Sequence, residues 1–596
     1  MDEQELRGLI GSVKRGRLSR REFVRIVAGF GLTAPIAAEL LTWSGIARAQ
    51  ARQVYKPTKR GGGGALRLLY WQAPTLPNAH FGVGTKDQEA ARVFYEPLAA
   101  WDGDGNLVPV LAAEIPSLEN GGVARDGKSV TWKLKRGVQW HDGKPFTADD
   151  CVFNWQYASD PETNTFTIGS YRDITVVKID PLTIRIEFGK PTPLWADPFV
   201  NLIGQIIPKH LFEPYKGARS REAPNNLKPV GTGPYKFVDF KPGDMLRGQI
   251  NMNYHQPNRP HFDTIELKGG GDAVSAARAV MQTGEFDFAW NLLVEDEILQ
   301  RLEKGGKGRV VVTLGGDIES LWLNHADPWS EVDGERASPK SRHPILTDPT
   351  VREAISLLVD RQSIQKHIYG RTGIVTPNFL NNPERFNSKN GSWEFNIAKA
   401  NALLDAAGWQ RGADGVRAKG GKKLKLLFQT SINAPRQKAQ AIIKQACQKA
   451  GVEIELKAVM ASVFFSSDVA NPDTISKFFA DLQMFQNTRG SPDPGRFMEL
   501  FCSWQMPSRE NKWQGRNLPR WRSDEYDQAF RAAEVELDPI RRAALLIRMN
   551  DLVCKARVVI PIVNRPNVVG ISSKLRASFS AWGGDLWALQ DWYRET

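Results

Sequence analysis

Three places along the chain carry residue types that could do chemistry. Trp140-His141-Asp142-Gly143 sets an imidazole beside a carboxylate, which offers a metal-site or acid–base reading. Gly231-Thr232-Gly233-Pro234 hints at a phosphate-cradling loop, but the Lys-Ser/Thr that should follow is missing. Asn487-Thr488-Arg489-Gly490-Ser491-Pro492-Asp493-Pro494 brings a guanidinium close to a carboxylate. The remaining histidines, His80, His210, His255, His261, His325, His343 and His367, show no H-E-x-x-H or comparable ligand spacing. No G-x-S-x-G elbow occurs. Cys151, Cys447, Cys502 and Cys554 lack C-x-x-C spacing, which removes support for zinc and thioredoxin-like chemistry. An enzyme needs paired carboxylates or a nucleophile and its base, and no such set stands out. No cofactor and no metal are expected.

The elements that must position these residues begin after an address. Ser19-Arg20-Arg21-Glu22-Phe23-Val24 is a paired-arginine motif, followed by a modest apolar stretch, Ile26 to Leu41, and by Ala47-Arg48-Ala49. This layout resembles a bacterial twin-arginine signal over residues 1–49, with Gln50 as the first mature residue. The apolar stretch is shorter than the roughly 20 strongly apolar residues of a spanning helix, and Pro35 interrupts it. Removal and export in the folded state are expected, with the mature protein in the periplasm. The formal charge is +13; the signal holds eight Lys/Arg and five Asp/Glu, leaving about +10 on the remainder. That excess is dispersed, and no aromatic-basic stripe points to nucleic acid.

Residues 50–64 read as a linker, and Ala65 to Trp71 as the first strand. Val130 to Lys135 alternates, and Val176–Ile179 with Leu182–Ile186 flanks Asp180-Pro181 as a hairpin. Beyond Thr264 strands and helices alternate, which predicts parallel sheets with crossover helices. The helices are expected at Ala273–Gln282, Asp348–Asp360, Ile397–Gly408 and Pro435–Ala450, and from Asp538-Pro539 onward.

Five segments, in order, resemble the solute-binding proteins that serve ABC importers for peptides, nickel complexes and opines (solute-binding protein family 5). They are Tyr95-Glu96-Pro97-Leu98 with Gly105 to Ala112; Lys133 to Asp150, which contains Trp140-His141-Asp142-Gly143; Pro229 to Tyr235; Val351 to Ile355 with Val359-Asp360-Arg361; and Ala400 to Trp409. The resemblance implies an α/β, two-lobed periplasmic-binding-protein fold of class II type with an extra inserted α+β lobe. Laid on this chain, the first lobe is 65–96, 229–315 and 560–596, the inserted lobe 97–228, and the second lobe 316–559. It implies that His141 sits in a turn of the inserted lobe, away from the cleft. It implies a monomer that captures a small organic solute of the peptide, opine or oligosaccharide class and delivers it to an inner-membrane ABC permease, with the twin-arginine machinery as its exporter. The other readings are a secreted carbohydrate-active or hydrolytic enzyme and an export-side chaperone.

Ligands of open α/β sheets bind beyond the carboxyl ends of strands. That rule nominates Tyr70, Trp71, Gln72, Trp290 and Asn291 in the first lobe. In the second it nominates Asn324, Asn433, Phe485, Asn487, Arg489 and Asp493. Peptide-binding relatives resemble one another in an aspartate shortly before an Asp-Pro, where it holds the peptide amino terminus. Here that place falls near Gly490, beside Arg489. A guanidinium repels an ammonium group and suits a carboxylate or phosphate.

Overall fold

The structure is a computed structural model that describes residues 57–595, apart from 83, 466–469, 512 and 514, together with Leu9, Phe23 and Ile26. The paired arginines, the apolar stretch beyond Ile26 and the cleavage motif lie outside the described residues.

Two mixed sheets form the lobes of an α/β fold. The first holds seven strands in the order Gly308–Thr313, Asn567–Ser572, Phe288–Ala289, Ala65–Tyr70, Thr264–Gly269, Met245–Ile250 and Tyr235–Lys241. The second holds six: Ile374–Val375, Val559–Asn564, Ile318–Leu323, Leu482–Asn487, Lys425–Ser431 and Glu453–Val459. Ile318–Leu323 and Val559–Asn564 are buried at every residue. Continuous burial of this kind is what a central strand covered on both faces requires.

The expected all-parallel pairing is corrected by the register. Ala65–Tyr70 runs parallel to both neighbours, but Phe288–Ala289 pairs antiparallel with Asn567–Ser572. In the second sheet Ile318–Leu323 is antiparallel to both Leu482–Asn487 and Val559–Asn564. The cause lies in the connections. A chain that leaves one sheet and enters the other directly runs outward along its new strand, against the strands that crossover helices feed.

The chain passes between the sheets twice by short links, from Thr313 to Ile318 and from Asn564 to Asn567. The second link differs from the boundary expected at 560. Val559–Asn564 belongs to the second sheet, and the apolar run that ends there looks the same in sequence whichever sheet it joins. Asn564 Nδ2 ties the two links together by donating to Gly315 O at 3.2 Å and Asp317 O at 2.7 Å. Two short links side by side, of four and two residues, make a hinge.

Between the first-sheet segments the chain builds a three-stranded antiparallel sheet, Ser129–Lys133, Thr183–Phe188 and Ile174–Asp180, packed with the helix Ala148–Ser159. Thr147 starts that helix with a capping box completed by Asp150, so the Pro145-to-Asp150 motif is a helix start. Asp348 and Asp538 likewise cap Pro349–Leu357 and Pro539–Lys555, each with proline in the first turn. The expected helix at 273–282 keeps α geometry only over Ala273–Arg278 and closes in a π turn, Ala279–Thr283. No helix among the described residues is long and apolar enough to cross a membrane.

Candidate functional site

Strand direction decides which strand ends meet the hinge. In the first sheet Tyr70 and Ala289 end parallel strands on the side from which the chain crosses. In the second sheet Ile318 pairs with Asn487, and Lys425–Ser431 runs parallel to Leu482–Asn487. The ends at Tyr70, Trp290, Ser431 and Asn487 therefore all lie on the hinge side. Asn324 does not. It ends a strand that starts at the hinge, so it sits at the opposite end of the sheet, paired near Leu482. Its side chain is fully buried; Nδ2 donates to Phe478 O at 2.9 Å and Ala480 O at 3.2 Å, and Oδ1 accepts from Ala326 N at 3.1 Å. Asn324 pins a loop, which corrects its nomination for the ligand.

The other nominated residues divide between wall and scaffold. Trp290 stacks on Tyr70 with ring centroids 5.2 Å apart and an interplanar angle of 11°. Tyr70 is fully buried and backs Trp290, while Trp71 and Gln72 remain partly exposed. Trp71 Nε1 donates to Asn291 O at 3.1 Å, and Asn291 holds a positive φ of 49°. A left-handed backbone at a non-glycine residue costs free energy and is kept where surroundings enforce it. Phe485 stacks on Trp322 at 5.3 Å inside the second-lobe core. Asn433 caps the helix Ala434–Lys449 through Arg436 N. Asp493 is gripped by Arg542 at 2.7 and 3.1 Å and accepts from Gly495 N, so its carboxylate is already committed. Asn487 Oδ1 and Tyr70 Oη are buried without a hydrogen-bond partner among the described residues.

A polar chain crosses the lobe junction and includes residues that sequence reasoning missed. Arg565, in the second link, donates from Nη2 to Asn291 Oδ1 at 3.1 Å and from Nη1 to Gln486 Oε1. Gln486 Nε2 donates to Asp317, which lies in the first link and also accepts from Arg489 N at 2.9 Å. The Arg489 guanidinium lies over the Trp582 ring, 4.8 Å from its centroid. Asn201 Nδ2 bridges Gly490 O, at 2.9 Å, and Trp582 O. Asp317 and Arg565 could have been found only by placing the two links first; nothing in their local spacing marks them.

Burial sets the electrostatics. It raises the Asp317 carboxyl to about 6, against the lowering effect of the Arg489 N–H and of Arg565. Burial also lowers Arg489 to about 9, opposed by Asp493 and Asp317. The guanidinium stays charged at neutral pH.

His141 has a structural job. Gly231 N donates to its Nδ1 at 3.1 Å, so Nε2 carries the proton and donates to Gly233 O at 3.1 Å. Burial lowers this imidazole to about 4, which keeps it neutral. The Gly231-to-Gly233 segment is no phosphate loop. A Cβ on Gly231 would stand 1.8 Å from Phe94 O, so the glycines exist for close backbone approach. Among the described residues no group of three or more His, Cys, Asp and Glu could hold a metal, and all four cysteines are buried and unpaired.

The model of bacterial extracellular solute-binding proteins, family 5 Middle, matches residues 106–507. The chain belongs to this family. It is 27% identical over 396 residues to the oligopeptide-binding protein AppA of Bacillus subtilis, covering 65% of this chain and 67% of that protein. It is 26% identical over 383 residues to the glutathione-binding protein GsiB of Escherichia coli O157:H7, covering 63% and 66%. Its fold is similar to that of Bacillus subtilis AppA in complex with a nonapeptide, with a TM-score of 0.73 and 22% identity over 91% of this chain and 100% of that one. It is also similar to NikZ from Campylobacter jejuni in complex with Ni(L-His), with a TM-score of 0.72 and 23% identity over 89% and 99%. The family 5 chain described here is a substrate-binding protein.

Proposed function

We propose that this protein is the periplasmic substrate-binding component of an ABC importer. It captures a peptide-like or other organic solute between its lobes and delivers the solute, unchanged, to an inner-membrane permease. The observation that carries this reading is the hinge of two short links, onto which the aromatic end at Trp71 and Trp290 and the polar end at Gln486 to Arg489 both converge. A cleft with apolar walls and few polar anchors suits capture, and a hinge suits closure around the captured solute. Relatives described as oligopeptide- and glutathione-binding support a peptide-like solute. Arg20-Arg21 and Ala47-Arg48-Ala49 support export as a folded protein by the twin-arginine route, cleavage after Ala49, and a periplasmic location. The test is mass spectrometry of small molecules released on denaturing protein purified from its own cells. One solute per chain is expected. An empty protein that none of a broad set of solutes stabilises would refute the reading, and so would steady release of a converted product.

A further inference from the structure

We propose that the captured solute carries a carboxylate or phosphate group and that this group docks on the Nη1 and Nη2 edge of Arg489. The proposal rests on the solute-binding reading above and deepens it by naming the chemical class that the site selects.

Hydrogen bonding at Arg489 is unfinished. Arg489 is only 2% exposed, yet both of its terminal nitrogens lack an acceptor among the described residues. Its other polar atoms are committed, since Nε donates to Ser491 O at 3.1 Å and the backbone N–H to Asp317. A buried cation without an acceptor is costly, and native structures keep one where something else completes it. The usual internal partners are taken. Asp493 is held by Arg542. Glu319 is held by Arg436 at 2.8 and 3.2 Å, a pair that cancels itself.

What remains at the junction is an excess of positive charge. With Asp493 paired to Arg542 and Glu319 to Arg436, Asp317 is the one carboxylate left for both Arg489 and Arg565, and the side-chain hydrogen bonds of Arg565 go to neutral amides. Arg385 adds to the positive potential at Arg489. One anion would balance the set, and a forked guanidinium edge matches the paired oxygens of a carboxylate or phosphate. An ammonium group would meet repulsion from two guanidinium ions.

The position is right for a selecting group. Arg489 belongs to the loop after a second-sheet strand, stacks on Trp582, and touches the first link through Gly316. An anion held there bridges both lobes at the hinge, so it strengthens as the cleft shuts and water leaves.

The test uses the mature protein, its Arg489→Met and Arg489→Lys variants, and two matched probe pairs. These are trialanine with trialaninamide, and glucose 6-phosphate with glucose. Melting temperature and calorimetric titration should favour the charged member of at least one pair in the wild type, and which pair responds separates carboxylate from phosphate. Arg489→Met should weaken that binding about tenfold to a hundredfold, and Arg489→Lys should restore part of it. Without solute Arg489→Met should melt no lower than the wild type, because in the open cleft the guanidinium stands in water and adds little to folding. Three results would overturn the proposal: no preference for the charged member of either pair, an unchanged preference in Arg489→Met, or a solute released from the wild-type protein that bears no acidic group. The last would leave the solute-binding reading standing.

Discussion

Replacing Gly316 by alanine tests the junction without touching any charged residue. An added Cβ would stand 2.5 Å from Arg489 Cζ, 2.6 Å from Nε and 2.7 Å from Nη2. Contacts that short do not persist, so the guanidinium must leave its place over Trp582. Two interactions go with it. A charge-assisted hydrogen bond to a carbonyl contributes about 1.5 kcal/mol, and a partly desolvated cation–π contact about 0.5–2 kcal/mol. The stacking on Trp582 joins one lobe to the other, so the loss falls on the closed state; in an open cleft the side chain swings into water. The expected cost is about 2–3.5 kcal/mol of closure, or roughly 30- to 300-fold in affinity. Calorimetry with the co-purifying solute measures the affinity, and stopped-flow tryptophan fluorescence should place most of the change in the dissociation rate. Gly490→Ala is the internal control, because a Cβ there meets nothing within 4 Å. Gly316→Ala with wild-type affinity, or Gly490→Ala with an equal loss, would show that the Arg489 contacts do not hold the cleft shut.

Asn324→Ala should lower stability by about 2–4 kcal/mol by orphaning two carbonyls and an N–H, and should leave solute affinity unchanged. Urea unfolding and titration of one preparation check both halves. Glu89 and Asp585 are buried together under Tyr70, and burial raises both carboxyls well above the usual range. The folded protein holds protons that the unfolded chain has released, so stability should fall as pH rises from 6.5 to 8. The buried imidazoles His80 and His141 lose stability only below that window, as pH falls from 6.5 toward 4. Asp585→Asn, which keeps an acceptor for Asn567, should flatten the fall in a pH series of melting curves. Replacing Arg20 and Arg21 by lysine should leave precursor in the cytoplasm, read by fractionation and immunoblotting; normal periplasmic yield would contradict it.

The strands and helices were legible because caps and periodicity are local. Asp348-Pro349 and Asp538-Pro539 mark helix starts whatever surrounds them. Strand direction was not legible, since pairing is set by partners far along the chain. That explains why the carboxyl-end rule put Tyr70 and Asn487 on the hinge side yet misplaced Asn324, whose strand runs against its neighbours. The same gap hid Arg565, which reads as the tail of an apolar run until Val559–Asn564 and Asn567–Ser572 are seen in different sheets. Arg489 was legible as an unusual charge, but its buried and unsatisfied edge belongs to the three-dimensional packing alone.

A crystal structure of the protein with its co-purifying solute decides whether the cleft at the hinge is the binding site. Density should lie between Trp71 and Trp290 on one side and Asn487 and Arg489 on the other, with both hinge links adjoining it. Density on the outer face of either lobe, with the junction of Asn291, Arg565, Gln486 and Asp317 closed and empty, would contradict it.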